Sequence, residues 1–373
     1  MNTRHISSLQ RRQQRGVTLI ELMVGITVGM LVVAAMALLF ANNSRTRLET
    51  ERAGVKIDNG RYALDVLGRD LQHAGYLAEF NPNVLTLPAS KPGACELDVA
   101  TLGAALPVPV LGYDNVTTAM LAGTALSCLQ DVVPGTDIVV IRRVATCTNS
   151  EAGCTMPGNG APVFQASSCN STSELGGIVV ANHYKFAAYP SVAFNLHVRD
   201  CTTTASLRRY IVRIYYVANN DKTVNGVPDG IPTLKRLEMS PTGTWDQANA
   251  ISLAPGVENF QVEWGVDTNT DGVPDLYATD PDKYCATAAT VVPSGTCWSL
   301  PVAAKMFVMA RNVDASPGHT DTKTYAMGKT GDATTGISGT ADFTAGPFNN
   351  SFKRNVYQRS AAMQNVSSRR FSP

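Results

Sequence analysis

The sequence predicts an α+β protein in which one long N-terminal helix packs on an antiparallel β-sheet head with large loop insertions. Three observations support this fold: an apolar stretch near the N-terminus, an amphipathic stretch after it, and β-type segments beyond residue 80. The chain has 373 residues, of which 44% are apolar and 16% charged, and its formal net charge is +1. This composition excludes a disordered chain and provides no basic field, so we expect no nucleic-acid partner.

The apolar stretch is long enough to cross a membrane. Residues 17–41 contain one charge, Glu21, and twenty-five helical residues span roughly 38 Å, compared with about 30 Å for the hydrocarbon core. Residues 1–16 contain four arginines and no acid, which predicts a cytoplasmic N-terminus and an external head. The small residue Gly16 precedes the apolar run, whereas an ordinary secretory signal has its cleavage site after it.

The segment Arg15–Val24, RGVTLIELMV, closely resembles the export signal of type IV pilins and pseudopilins. The resemblance implies that prepilin peptidase removes the basic leader, residues 1–16, after Gly16, and that Val17 becomes the methylated N-terminus. Phe is usual at the position of Val17, which bears on methylation more than on cleavage. The resemblance to type IV pilins also implies that Glu21 pairs with the N-terminal amine of a neighbouring subunit during assembly. The alternative is an acid tolerated near the cytoplasmic interface, since a carboxylate in the membrane is costly.

The second half of the helix is predicted over residues 42–76. Ile57, Leu64, Leu67, Leu71 and Ala74 fall on one helical stripe. The stretch 59–76 resembles the helix end of PilW-type minor pilins. We therefore expect a leader (1–16), a transmembrane or fibre-core helix (17–41), an amphipathic half of the helix (42–76) and a periplasmic or extracellular β-rich head (77–373).

Beyond residue 80, alternating apolar residues predict a sheet. The predicted strands are 137–144, 207–217, 234–239, 257–264 and 305–310. The PilW resemblance continues over 134–143, 256–267 and 353–365, whereas the insertions 81–130 and 145–205 show no family pattern.

The eight cysteines all follow the apolar stretch, which favours disulfides in an oxidising compartment over a zinc site, because no C-x2–4-C pair occurs. Eight cysteines allow 105 connectivities. The preferred local pairs are Cys147–Cys154 and Cys285–Cys297.

The loop 267–275, DTNTDGVPD, has oxygen ligands at alternate positions followed by a glycine, as in the first half of a calcium loop. The candidate Ca²⁺ ligands are Asp267, Asn269, Asp271, the Val273 carbonyl and Asp275. Ala278 stands where an EF-hand has its bidentate Glu, so the missing ligands would come from water, Asp280 or Asp282. A weaker copy occupies 221–229. The alternative is that both segments are polar hairpin turns.

No enzyme signature is present, because Lys323 stands where a phosphate loop ending in Gly328-Lys329-Thr330 needs its first glycine, and the five histidines are scattered. We predict a non-enzymatic minor type IV pilin that initiates pilus assembly in a tip or priming complex and supports motility and adhesion. The resemblance implies four kinds of partner: other minor pilins and the pilus-tip adhesin, the major pilin, prepilin peptidase and the bacterial inner membrane. The precursor would lie in that membrane with a periplasmic head, and the mature subunit in a pilus at the cell surface. Alternatives are a type II secretion pseudopilin and a single-pass envelope adhesin or binding protein.

Overall fold

The computed structural model describes residues 16–80, 85–155, 157–175, 184–191, 194–282, 297–329 and 341–370. The chain divides into two compact units, Met1–Arg52 and Ala53–Pro373. Helix α1 extends over Leu19–Gln72, 54 residues, and confirms the predicted long helix. The shorter helices are α2 (Val99–Ala104), α3 (Thr118–Leu121), α4 (Thr172–Leu175) and α5 (Gln364–Arg370).

The described residues contain fifteen strands. In chain order they are β1 (Val110–Tyr113), β2 (Ile138–Val144), β3 (Pro162–Ala166), β4 (Tyr184–Ala188), β5 (Arg208–Ala218), β6 (Thr223–Val224), β7 (Val227–Pro228), β8 (Thr233–Glu238), β9 (Ile251–Pro255), β10 (Val257–Val266), β11 (Leu276–Ala278), β12 (Pro301–Arg311), β13 (Tyr325–Met327), β14 (Phe343–Ala345) and β15 (Arg354–Ala362). The five predicted strands correspond to β2, β5, β8, β10 and β12.

Two antiparallel sheets make up the head. The first has seven strands in the order β1-β2-β5-β3-β4, and the second half of β5 also pairs with β8, which pairs with β9. The second sheet has the order β11-β10-β12-β15. Strands β6–β7 and β13–β14 form separate hairpins. The insertions without a family pattern thus supply β1, β3 and β4 to the first sheet.

The second half of α1 supplies one wall of the core. Ala63, Leu64, Leu67 and Leu71 are buried, at most 4% exposed, and they join the cluster formed by the two sheets. These positions repeat every three or four residues, so a single face of the helix is covered. Burial of each leucine contributes about 1.5–3 kcal/mol, which fixes this part of α1 against the head.

A glycine in β1 allows the two sheets to meet closely. A Cβ at Gly112 would lie 2.7 Å from Nε1 of Trp264 and 2.7 Å from the ring of Trp298, so a larger residue would displace one of these rings. The two indole rings pack edge to face with centroids 5.4 Å apart. The amide of Asp137, next to β2, also donates to the carbonyl of Phe260 in β10 at 2.9 Å. The junction therefore combines aromatic packing with backbone hydrogen bonding.

A buried ion pair attaches α1 to the first sheet. Oδ1 of Asp70 lies 2.5 Å from Nη1 of Arg213 on β5, and the Tyr215 hydroxyl donates to Oδ2 of Asp70. Arg213 also contacts Glu238 on β8 at 2.7 Å. Burial of Asp70 opposes ionisation, but the hydrogen bond and the charge of Arg213 outweigh it, so the pKa of Asp70 is lowered.

We expect Asp70→Ala to destabilise the head by about 3 kcal/mol, because the change leaves the Arg213 guanidinium buried with fewer partners. The free energy of unfolding, measured by denaturant titration of the full-length protein in detergent, checks this. The pKa of Asp70 is lower in the folded than in the unfolded state. Its contribution to the free energy of unfolding is therefore complete above the unfolded pKa of about 3.9, and it disappears as the pH falls through the folded pKa.

Asp65→Ala is the matched control, since Asp65 is on the same helix and its ion pairs with Arg69 and Arg359 lie at the surface. A loss of stability in Asp70→Ala no greater than in Asp65→Ala would contradict the anchoring role of Asp70.

Candidate functional site

Hydrogen bonds between Thr18 and Glu21 cap the N-terminus of α1. The amide and hydroxyl of Thr18 donate to Oε2 of Glu21 at 3.0 and 2.9 Å, and the amide of Glu21 donates to the Thr18 hydroxyl at 3.3 Å. Leu19 begins the helix, so Thr18 is the N-cap and Glu21 the third helical residue. This reciprocal arrangement is a capping box. Sequence reasoning missed it, although T-x-x-E is its usual signature.

The first part of α1 presents an uncovered apolar surface. All residues from Gly16 to Leu48 are exposed, and the exposed fractions include 76% for Leu19 and 77% for Phe40. The most apolar window of α1 has a mean hydropathy of 2.6 and is long enough to cross a membrane. A Cβ at Gly16 would have open space around it, apart from its chain neighbours, and Val17 is 71% exposed, so no other described part of the chain covers the predicted cleavage position. The leader before Gly16 lies outside the described residues.

The predicted calcium loop connects β10 to β11 and is held by its own hydrogen bonds. Asp267 is buried and accepts from the amides of Thr270 and Gly272 at 2.7 and 2.9 Å. Asp275 accepts from the amide and hydroxyl of Thr268, both at 2.7 Å. Burial opposes ionisation of Asp275, but these two hydrogen bonds dominate and lower its pKa.

The remaining predicted ligands lie in the same turn. The side-chain amide of Asn269 donates to Asp271 and Asp275 at 3.2 and 3.1 Å. The backbone amide of Val273 donates to Asp271 at 2.8 Å. The structure thus brings Asp267, Asn269, Asp271 and Asp275 into one hydrogen-bonded loop. Within the described part of the chain, however, the loop's carboxylates do not converge as a cluster that could hold an ion. Calcium binding by this loop stays a prediction.

The weaker copy, residues 221–229, forms the hairpin β6–β7. Asp229 accepts from the amides of Asp221 and Lys222 at 3.0 and 3.1 Å. Asn225 and Gly226 both have positive φ, 51° and 80°, as a two-residue hairpin turn requires. This segment therefore has the geometry of the hairpin-turn alternative.

The one group of three carboxylates close enough for an ion, among the described residues, is Asp114, Asp137 and Asp342. Asp137 accepts from the amides of Asn115 and Val262, both at 2.8 Å. The Asn115 side-chain amide donates to Asp114 at 3.0 Å and to Asp342 at 3.1 Å. Burial, with smaller effects of the neighbouring carboxylates, raises the pKa of Asp137 well above its usual range. Because amide groups donate to at least one oxygen of each carboxylate, we assign the cluster a structural role between β2 and β10. No sequence signal links positions so far apart.

Three disulfides lie in the loops of the head. They join Cys95 to Cys128, Cys147 to Cys154, and Cys169 to Cys201, so the structure contains the predicted pair Cys147–Cys154. Cys297 is also disulfide-bonded, and its predicted partner Cys285 lies outside the described residues. Each bridge contributes on the order of 2–4 kcal/mol.

Comparison with known families gives two matches. A family model described as Type IV Pilus-assembly protein W matches residues 214–365, and one described as the prokaryotic N-terminal methylation motif matches residues 11–37. The two matches support a PilW-type type IV pilin. No curated protein and no solved structure gave a match.

The PilW match begins within β5 and ends within α5, so it contains β8, β10, β12 and β15. It leaves out the two insertions that the sequence also set apart. The methylation motif contains Gly16, Val17 and Glu21. Together the matches and the apolar helix support a membrane-anchored minor type IV pilin that takes part in pilus assembly.

If the loop 267–275 binds calcium, the full-length protein in detergent will have a higher Tm in millimolar Ca²⁺ than in chelator. A ligand that binds only the folded state at a hundredfold excess over Kd stabilises by about 2.7 kcal/mol. Asp271→Ala should abolish the shift, and the control Asp221→Ala should preserve it. An unchanged Tm with no heat of calcium binding by calorimetry would assign the loop to the hairpin-turn alternative.

Proposed function

We propose that this pilin helps to initiate pilus assembly within a priming complex at the pilus tip. The observation that carries the proposal is the exposed apolar surface from Val17 to Phe40, most of it on α1. The head of the same chain is large and disulfide-bonded. Such an apolar surface needs a membrane before assembly and other helices afterwards. A head built from two sheets and large insertions is bulky for a subunit repeated along a whole fibre.

The proposed pathway assigns a role to each segment of the chain. Prepilin peptidase would remove residues 1–16, and residues 17–41 would then pass from the inner membrane to the fibre core. Residues 42–76 would attach the head, residues 77–373, which lies in the periplasm and later at the cell surface. Partners would be other minor pilins, the pilus-tip adhesin and the major pilin, and the complex would support motility and adhesion.

The capping box gives Glu21 a second role beside pairing with another subunit. An acid at the third position of the helix satisfies an amide at its start and interacts favourably with the helix dipole. Loss of Glu21 therefore removes both a charge and a cap. Substitution of Thr18 removes the cap alone, so the two roles can be separated.

Gly16→Leu should leave the precursor uncut, because a bulky side chain replaces the small residue at the cleavage position. Mass spectrometry of the membrane-bound protein should find a chain beginning at methylated Val17 in the parent and at residue 1 in the variant. Gly25→Leu is the matched control, since Gly25 also has open space beside its Cα and lies beyond the signal. A parent protein that keeps its leader would contradict the pilin pathway.

Glu21→Ala should insert into the membrane normally, because it removes a costly charge, yet enter pili at a small fraction of the parent level. Quantitative immunoblotting of sheared pili against membrane fractions measures this. Thr18→Ala, which costs about 1 kcal/mol of helix capping, should enter pili far better than Glu21→Ala. Equal losses in the two variants would show that the cap matters and the intersubunit charge does not. Co-purification with secretion components in place of minor pilins would favour a type II secretion pseudopilin.

A further inference from the structure

Strand β15 forms one edge of the second sheet in the part of the chain that the structure describes. All of its nine residues pair with β12, from Arg354 with Arg311 to Ala362 with Ala303, and the register has no bulge. In the described part of the chain, no strand pairs with its outer side. Proteins commonly protect such edges with proline, lysine, a bulge or a short strand. Strand β15 contains no proline and no lysine, its two charged residues being Arg354 and Arg359, and no described strand occupies its outer edge.

Two hydrogen bonds beyond the ends of β15 show which backbone groups face outwards. The Asn312 amide donates to the Lys353 carbonyl at 3.1 Å, and the Met363 amide donates to the Val302 carbonyl at 2.8 Å. Hydrogen-bonded pairs alternate along antiparallel strands, so the odd-numbered residues of β15 bond to β12. The amides and carbonyls directed outwards therefore include those of Val356, Gln358 and Ser360 in the middle of the strand.

Helix α1 covers one face of β15 and leaves a groove beside it. Arg359 donates to Asp65 at 2.7 Å, and a Cβ at Gly60 would lie 2.5 Å from the ring of Tyr357, which shows how closely the helix approaches. The groove has a volume of about 400 Å³. It is lined by Arg61, Tyr62, Leu64, Asp65, Gln358 and Arg359.

The groove has more positive than negative charge. Asp65 is its one acidic residue, and it already contacts Arg359 at 2.7 Å and Arg69 at 2.6 Å. Arg61 is exposed and forms no ion pair within the described residues. The adjacent Tyr62 is 51% exposed, which offers a ring for contact. A partner that carries carboxylates would therefore complement this surface.

We propose that an extended, acidic segment of a neighbouring pilus subunit adds to β15 as a further strand. Its backbone would hydrogen-bond to Val356, Gln358 and Ser360, and its carboxylates would pair with Arg61 and Arg359. Strand addition obtains affinity from main-chain hydrogen bonds and specificity from side chains. The proposal rests on the proposed function, since it names the kind of partner that the priming complex supplies.

The experiment uses the full-length protein in the membranes of piliated cells, with the photoreactive residue benzoylphenylalanine in place of Tyr62. Mass spectrometry should identify cross-linked peptides from another pilus subunit that contain several acidic residues in an extended stretch. Gln358→Pro removes an outward amide that β12 does not use, and edge strands tolerate proline at such positions. It should reduce the cross-link at least tenfold, whereas Gln358→Ala, which keeps the amide, should preserve it.

Four further variants test the role of charge and guard against misfolding. Arg61→Glu should reduce the cross-link at least tenfold, whereas Arg61→Lys, which keeps the positive charge, should preserve it. Lys222→Glu on the exposed hairpin β6–β7 makes the same charge change as Arg61→Glu and should have no effect. Ser360→Pro replaces Gln358→Pro if the latter lowers the Tm. Equal cross-linking in the proline and alanine variants, or cross-links only to lipid or to a second copy of this chain, would overturn the proposal.

The outcomes separate this proposal from the proposed function. A chain that enters pili and co-purifies with minor pilins, but gives no acidic cross-linked segment at Tyr62, would overturn strand addition and leave the proposed function intact. A chain that enters no pili would overturn both.

Discussion

The two parts of helix α1 require different surroundings: the first needs an apolar environment, and the second packs on the head. Its first part exposes large apolar side chains on every side, and exposed apolar surface in water is unfavourable in proportion to its area. Its second part hides one stripe of leucines in the head and keeps polar residues on the opposite face. The residues change from one pattern to the other without a proline, so helical hydrogen bonding continues through the change. Assembly and folding are thus encoded in consecutive parts of the same element.

Polar contacts fix the second part of α1 more specifically than the leucines do. Apolar packing tolerates small rotations of a helix, whereas the hydrogen bonds that Arg213 and Tyr215 donate to the carboxylate of Asp70 are directional. Arg213 is held in turn by Glu238 on the adjacent strand. The ion pair therefore sets the rotation of α1, and that rotation determines which helical residues flank β15.

The sequence was sufficient to predict the helices and strands whose apolar residues repeat with a clear period. Helix α1 and strands β2, β5, β8, β10 and β12 follow from spacing, because each is long enough for its apolar residues to repeat. Strands β1, β3 and β4 have four or five residues and lie in the insertions, where so few residues establish no period. The cluster of Asp114, Asp137 and Asp342 depends on chain packing and has no local signature. The capping box of Thr18 and Glu21 could have been predicted from the sequence, because the two residues have the T-x-x-E spacing of that motif.

The order of the disulfides bears on how the head matures. Each of the three bridges between described cysteines joins a cysteine to the next one along the chain, so the loops that they close follow one another and do not interlock. For a chain exported from its N-terminal end, an oxidant that links each thiol to the next to emerge produces these native pairs directly. Reshuffling of mispaired bridges, which takes seconds to hours, is then unnecessary for this part of the head. In the proposed pathway, the linear arrangement of the cysteines would allow the large insertions to be cross-linked during export, before the sheets around them are complete.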